Sequence, residues 1–160
     1  MSKADVHKKK GFIADAMLGR LARWMRFLGY DVLYCRDIDD RELVRTARAE
    51  DRILLTRDRE LTKRFSVSHL LIRSEDVREQ LKEVLSAFPG DRSERRCMQC
   101  NTPIRDIRKR EVEGLVPEYV YLHNSRFQQC PRCGRIYWEG SHTENISRLL
   151  RELGSDLEMD

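Results

Sequence analysis

The side chains of this 160-residue chain that can do chemistry form two sets, one of carboxylate oxygens and one of thiolate sulfurs. Asp15 follows the apolar run Phe12-Ile-Ala14. Asp37, Asp39 and Asp40 follow Val32-Leu-Tyr34, and Asp58 with Glu60 follows Ile53-Leu-Leu55. Carboxylates gathered in one place repel one another, and a divalent cation bound through oxygen is the simplest relief. Mg2+ or Mn2+ suits such ligands, and a carboxylate-held pair of these ions can activate water and stabilise the leaving oxygen of a phosphodiester displacement. The chemistry implied is that of a nuclease. Each acid taken singly is equally suited to a turn or a helix cap. Asp39-Asp-Arg-Glu42 has the form of a capping box, with Asp39 as the cap and Asp40 left to face the site.

The sulfur set is Cys97-Met-Gln-Cys100 and Cys130-Pro-Arg-Cys133, two pairs separated by 29 residues. Four thiolates in two such knuckles match closed, tetrahedral, structural Zn2+ coordination. Gly134 suits the tight turn after the second pair. A redox CxxC pair normally opens a helix within a βαβ unit, and neither pair has that setting. The fifth cysteine, Cys35, reads as a strand residue facing the core. His123 and His142 read as surface or packing residues in preference to spare ligands.

These groups need a scaffold. Met17, Leu18, Leu21, Trp24, Met25 and Leu28 recur at three- and four-residue spacing, which predicts a helix over 16–28 that Gly29 stops. Arg20, Arg23 and Arg26 fall on its other side. Strands are predicted at 11–14, 31–34, 52–56 and 68–72, with helices from Asp39 or Asp40 to before Arg52, at 60–64 and at 75–88. Strands and helices alternating at this spacing imply parallel strands joined by crossovers. Ligands of such sheets bind beyond the carboxyl ends of the strands, where the acids lie. The expected fold class is α/β: a small parallel-sheet, Rossmann-like domain at 11–90, then a four-cysteine zinc ribbon at 91–150. Charged tails occupy 1–10 and 151–160.

Composition bounds the class. With 40% hydrophobic and 36% charged residues the chain can bury one modest core. No apolar run exceeds four residues, far short of a membrane span, and Asp15 interrupts the only stretch that resembles a signal peptide's apolar region. The expected compartment is the cytoplasm, without membrane association. The net charge of +4 understates the basic character of the second half, because Glu152, Asp156, Glu158 and Asp160 crowd the end. Arg92, Arg95, Arg96, Arg105, Arg108, Lys109 and Arg110 surround the first knuckle, and Arg126, Arg132 and Arg135 the second. Phe127, Tyr137 and Trp138 lie among them. Cations on phosphates with rings on unpaired bases are the means of single-stranded RNA binding. Alternatively, these cations balance the charge of the thiolates.

Phe12-Ile-Ala-Asp15, Asp40-Arg-Glu-Leu-Val44 and Ile53-Leu-Leu-Thr-Arg-Asp-Arg-Glu60 together resemble PIN-domain ribonucleases, in which Thr-x-Asp after a strand supplies a metal ligand. The longer string from Asp15 through Gly19-Arg-Leu-Ala-Arg-Trp to Asp31, the two cysteine pairs and Tyr137-Trp-Glu-Gly-Ser-His142 resemble a narrower family. That family is the PIN-like ribonuclease domain with a zinc ribbon, named after the C-terminal region of the Mut-seven exonuclease. The resemblance implies that Asp15, Asp40 and Asp58 hold catalytic Mg2+ or Mn2+ and that Cys97, Cys100, Cys130 and Cys133 hold structural zinc. Many PIN domains carry a further Glu on a helix that this chain lacks, with Asp37 or Glu42 as substitutes and Glu60 a further acidic candidate.

The expected function is therefore a metal-dependent ribonuclease, a hydrolase whose zinc ribbon helps seat RNA. Arg20, Arg23, Arg57, Arg59, Arg108, Lys109, Arg132 and Trp138 are the candidate RNA contacts. The alternative is a non-catalytic RNA- or ribosome-binding adaptor. An inhibitory protein partner is suggested by analogy with PIN-domain toxins.

Overall fold

A computed structural model describes residues 8–140, 144 and 147–152. The chain divides into two compact units, one running through Pro103 and the other from Ile104.

The first unit is built on a four-stranded sheet of β1 (Gly11–Ala14), β2 (Val32–Tyr34), β3 (Arg52–Thr56) and β4 (His69–Leu71). The order is β2-β1-β3-β4 and every pairing is parallel, with Phe12 opposite both Val32 and Ile53. Helices α1 (Gly19–Phe27), α2 (Asp40–Ala49), α3 (Arg59–Arg64) and α4 (Val77–Ala87) connect or follow these strands. The predicted alternation of strand and helix is present throughout this unit.

Successive residues of a strand face opposite sides, so a central strand must be apolar on both. β1 meets that demand. Ile13 faces a core formed with Leu43, Val44 and Ala47 of α2, Leu54 and Leu61. Phe12, fully buried, meets the rings of Tyr30 and Phe88 edge-on at 5.5 and 5.0 Å. Tyr30 is also fully buried; burial pushes its phenol above the ordinary range, and its hydroxyl donates to the Phe88 carbonyl at 2.7 Å. Asp39, read as a cap from the sequence, accepts the Glu42 N–H at the start of α2, and Asp76 accepts those of Arg78 and Glu79 at the start of α4, whereas α1 has no side-chain cap.

The first helix departs from expectation. It opens as a 3-10 turn, Ala16–Leu18, and becomes α-helical only at Gly19. A 3-10 turn advances three residues per revolution, which takes Met17 out of the predicted apolar stripe; it is 71% exposed. Arg26, expected on the solvent side, is buried. It lies one residue from Met25 and four from Ala22, on the face that packs inward. Cys35 is exposed, not core-facing, because β2 ends one residue earlier.

Gly29 ends α1 in the left-handed region, at φ 100°, with its N–H donating to the Arg26 carbonyl and the N–H of Tyr30 to that of Met25. A Cβ there would stand 2.1 Å from the Ser93 carbonyl oxygen. At the same, amino-terminal edge of the sheet Arg52 donates to the Phe12 carbonyl and to Asp31, the latter at 2.9 Å. Burial raises the Asp31 carboxyl, but hydrogen bonds from Arg52 and Asn101 and the charges of Arg52 and Arg96 outweigh it and hold it below the ordinary value.

The second unit contains an antiparallel sheet of β5 (Arg105–Ile107), β6 (Phe127–Gln129) and β7 (Ile136–Trp138), in the order β5-β6-β7. A 3-10 turn, Lys109–Val112, and the short helix α5 (Glu118–His123) join β5 to β6. Among the described residues its buried aliphatic and aromatic side chains are Ile104, Val112, Phe127 and Leu149. The charged end segment, 151–160, lies largely outside the described residues.

Two outcomes are expected. Gly29→Ala forces both an unfavourable φ and a backbone collision, and should cost at least about 2 kcal/mol in urea unfolding. The Asp31 carboxyl is more acidic folded than unfolded, so its stabilisation is complete above about pH 4 and fades as pH falls through the folded value. Asp31→Asn should therefore be less stable than wild type near neutrality, and the gap should close on acidification; a gap that widens contradicts this assignment.

Candidate carboxylate site and metal centre

Because β1, β2 and β3 run in parallel, the segments that carry the acids all leave the sheet at its carboxyl edge. Asp15 is the first residue beyond β1 and is 9% exposed. Its N–H donates to the Leu55 carbonyl, extending the β1–β3 pairing by one residue. Both carboxylate oxygens are held by neutral donors. Oδ1 accepts from the Met17 N–H at 2.8 Å, and Oδ2 from the Thr56 hydroxyl at 2.6 Å.

Thr56 is the hinge of the arrangement. It is fully buried at the end of β3, and while its hydroxyl donates to Asp15 it accepts the Asp58 N–H at 3.0 Å. One hydroxyl thus fixes the Asp15 carboxylate and the backbone of Asp58. The Asp58 carboxylate caps α3, its Oδ1 accepting from the N–H groups of Glu60 and Leu61.

The other acids are disposed differently. Asp40 begins α2 and lies 3.7 Å from the Arg64 guanidinium, an exposed ion pair. Asp37 and Glu42 are exposed, and Glu60 is 3.5 Å from Lys63 on the same helix. Among the described residues no three carboxylates bring oxygens within 4.8 Å of one another. The pairing the structure makes is Asp15 with Asp58, through Thr56. In the sequence Thr56 stands out only as part of the Thr-x-Asp motif; a hydroxyl that closes the apolar run Ile53-Leu-Leu55 is the signal for a group that needs hydrogen-bond partners when buried.

The cations predicted to contact RNA also divide. Arg20 and Arg23 are exposed on α1 and Arg59 on α3, whereas Arg57 pairs with Glu75 at 3.6 Å. In the second unit Arg108 and Arg132 are exposed, Lys109 lies over the Tyr121 ring at 4.9 Å, and Trp138 is half-buried opposite Phe127. Phe127 is 2% exposed and therefore a core ring, unavailable for stacking on a base. His123 stacks on Tyr119 at the surface; His142 lies outside the described residues.

The sulfurs of Cys97, Cys100, Cys130 and Cys133 all lie within 4.8 Å of one another. Zn–S bonds of about 2.3 Å put the sulfurs of a tetrahedral site about 3.8 Å apart, so four thiolates at this spacing fit zinc. The two knuckles share one backbone pattern. The N–H of Asn101 donates to the Cys97 carbonyl and that of Gly134 to the Cys130 carbonyl, both at 2.9 Å. The N–H of Cys97 donates back to the Thr102 carbonyl as that of Cys130 does to the Arg135 carbonyl. Asn101 and Gly134 are both left-handed, at φ 64° and 79°.

A parallel α/β domain with carboxylates at its carboxyl edge and a four-cysteine cluster, consistent with a zinc ribbon, defines the class of this protein. Residues 10–150 match the family described as the Mut7-C RNAse domain, and the chain belongs to that family. No curated protein and no solved structure matches it.

Thr56→Val keeps the β-branched shape but leaves Asp15 without its donor and the Asp58 N–H without its acceptor. It should destabilise the chain by about 1–3 kcal/mol in chemical unfolding, whereas the same change at the half-buried Thr62 should be nearly silent.

Proposed function

We propose that this chain is a divalent-metal-dependent ribonuclease whose chemistry is centred on Asp15 and Asp58. The ribonuclease-type character follows from the family; the site assignment rests above all on Asp15, a buried carboxylate fixed by two neutral donors at the carboxyl edge of a parallel sheet.

Asp15 and Asp58 are hard oxygen donors of the kind Mg2+ or Mn2+ accepts. Mg2+ commonly binds through one or two carboxylates, with water and substrate phosphate completing its shell, so a third protein carboxylate within ligand distance is not required. When bound, such an ion polarises the scissile phosphate and lowers the pKa of an attacking water. The chain's own residues supply orientation. Thr56 holds the Asp15 carboxylate in one rotation and, through the Asp58 backbone, sets the start of α3. Asp58 uses Oδ1 for capping α3, and Oδ2 is the oxygen it would offer a metal ion. Asp40 provides a further negative charge at the rim, and Asp37, Glu42 and Glu60 the outer field. Arg20, Arg23 and Arg59, exposed on α1 and α3, draw the RNA backbone toward this edge. Arg108, Lys109, Arg132 and Trp138 of the second unit contribute phosphate and base contacts to single-stranded RNA.

Asp15→Asn and Asp58→Asn remove a ligand charge while keeping shape, and an amide oxygen can still cap α3. Each should lower cleavage of single-stranded RNA by at least about 100-fold with helical content unchanged. EDTA should abolish cleavage in protein shown still to hold zinc, with Mg2+ or Mn2+ restoring it. Cleavage that survives these changes overturns the mechanism. RNA binding that weakens steeply with salt, without turnover in either ion, would instead identify the adaptor.

A further inference from the structure

By residue type and spacing alone, the four cysteines read as a structural zinc site and Arg26 falls on the polar side of its helix. The structure joins them within the first unit. Arg26 is 6% exposed; its Nε donates to the Val32 carbonyl at 2.9 Å, and its Nη1 donates to the Met98 carbonyl at 2.8 Å and the Gln99 carbonyl at 3.5 Å. Met98 and Gln99 are the two residues between Cys97 and Cys100. One guanidinium therefore spans from the outer side of β2 to the backbone of the first knuckle. The Arg26 carbonyl in turn accepts the N–H of Arg96, the residue before the first cysteine.

Asn101 makes the second bridge. Its Oδ1 accepts the Val32 N–H at 3.1 Å and its Nδ2 donates to Asp31 at 2.7 Å. The equivalent position of the second knuckle, left-handed and with the same hydrogen bonds, is Gly134. Glycine is the residue this conformation favours, and asparagine is the side chain that adopts it while adding an amide. The difference between the two knuckles is thus the side chain that reaches β2. Val32 has both outward-facing backbone groups satisfied, its carbonyl by Arg26 and its N–H by Asn101.

We propose that Arg26 and Asn101 form a clamp that makes the first zinc knuckle part of the parallel sheet, so that metal retention and the integrity of strand β2 are one cooperative property. Arg26 is a positioning residue toward zinc. It orients the knuckle carbonyls and sets a positive charge beside the thiolates of a centre whose four sulfurs exceed the charge of the ion by two. In the other direction, β2 leads directly into the segment bearing Asp37, Asp39 and Asp40, so an unclamped β2 loosens the acidic rim without any change to the carboxylates themselves.

Hydrogen exchange on the full chain tests the clamp. Stripping zinc from wild type should speed exchange over residues 26–34 and 97–101 by about tenfold or more, while Ile53–Thr56 of β3 keep their protection. Unchanged exchange, or equal loss across the whole sheet, overturns the proposal. Asn101→Gly reproduces the geometry at Gly134. Loaded with zinc it should show fast exchange at Val32 and give up the metal more readily than wild type, and a Val32 amide as protected as in wild type overturns the proposal. Arg26→Lys keeps the charge but loses the fork, and should surrender zinc to a chromogenic chelator about 10–100-fold more readily, while Arg45→Lys on α2 should not. Zinc retention equal to wild type in folded Arg26→Lys counts against the clamp; if that variant does not fold, the exchange measurements decide.

Discussion

The parallel pairing of β1 between β2 and β3 is the constraint on which the rest of the first unit depends. It requires an apolar residue on each face of β1, which Phe12 and Ile13 supply, and it places helices on both faces of the sheet. It also fixes polarity. Three strands running the same way end at the same edge, and whatever follows each of them is brought to that edge whether or not the side chains attract. The approach of Asp15 to the Thr56–Asp58 segment is therefore a consequence of backbone pairing, extended one residue by the Asp15 N–H bond to Leu55.

Capping and the proposed metal ligation draw on the same residue type at the same place. Asp15 caps the 3-10 turn, Asp39 caps α2 and Asp58 caps α3. Each stands where a strand gives way to a helix, and there a short carboxylate satisfies N–H groups that the helix leaves unpaired. A carboxylate has two oxygens, so a cap need engage only one. The edge can hold negative charge without leaving its acids conformationally free, and Thr56 adds to this by ordering two of them with one hydroxyl.

Most of the first unit was legible because its information is local. Period-two and period-3.6 patterns in 11–88, Gly29 at the end of α1, and Asp39 before α2 all act within a few residues. The cysteine cluster was legible for a different reason: four thiolates in paired spacing have few other uses. What could not be read depends on contacts distant in sequence. Arg26 looks solvent-facing until Met98 and Gln99 are brought to it, 72 and 73 residues away. Met17 fits a helical stripe unless the first turn is known to be 3-10. Asp40 was expected to be free, and its pairing with Arg64 arises only when α2 and α3 stand together. The strands and short helix of the second unit are only three to six residues long, so no periodicity announces them.

The two side chains that satisfy Val32 have a consequence for solubility. β2 lies at an edge of the sheet, and an edge strand with unpaired N–H and C=O groups is a template on which another chain can add a strand. Charged side chains, bulges and very short strands are the usual defences. Here the defence is a guanidinium and an amide that occupy the outward hydrogen-bonding positions without offering a continuing ladder. The opposite edge, β4, is only three residues long and begins at the exposed His69. If the clamp couples this edge to zinc as proposed, loss of the metal would bear on more than fold: it would uncover a sticky edge, and with it a route from a depleted metal supply to self-association of the chain.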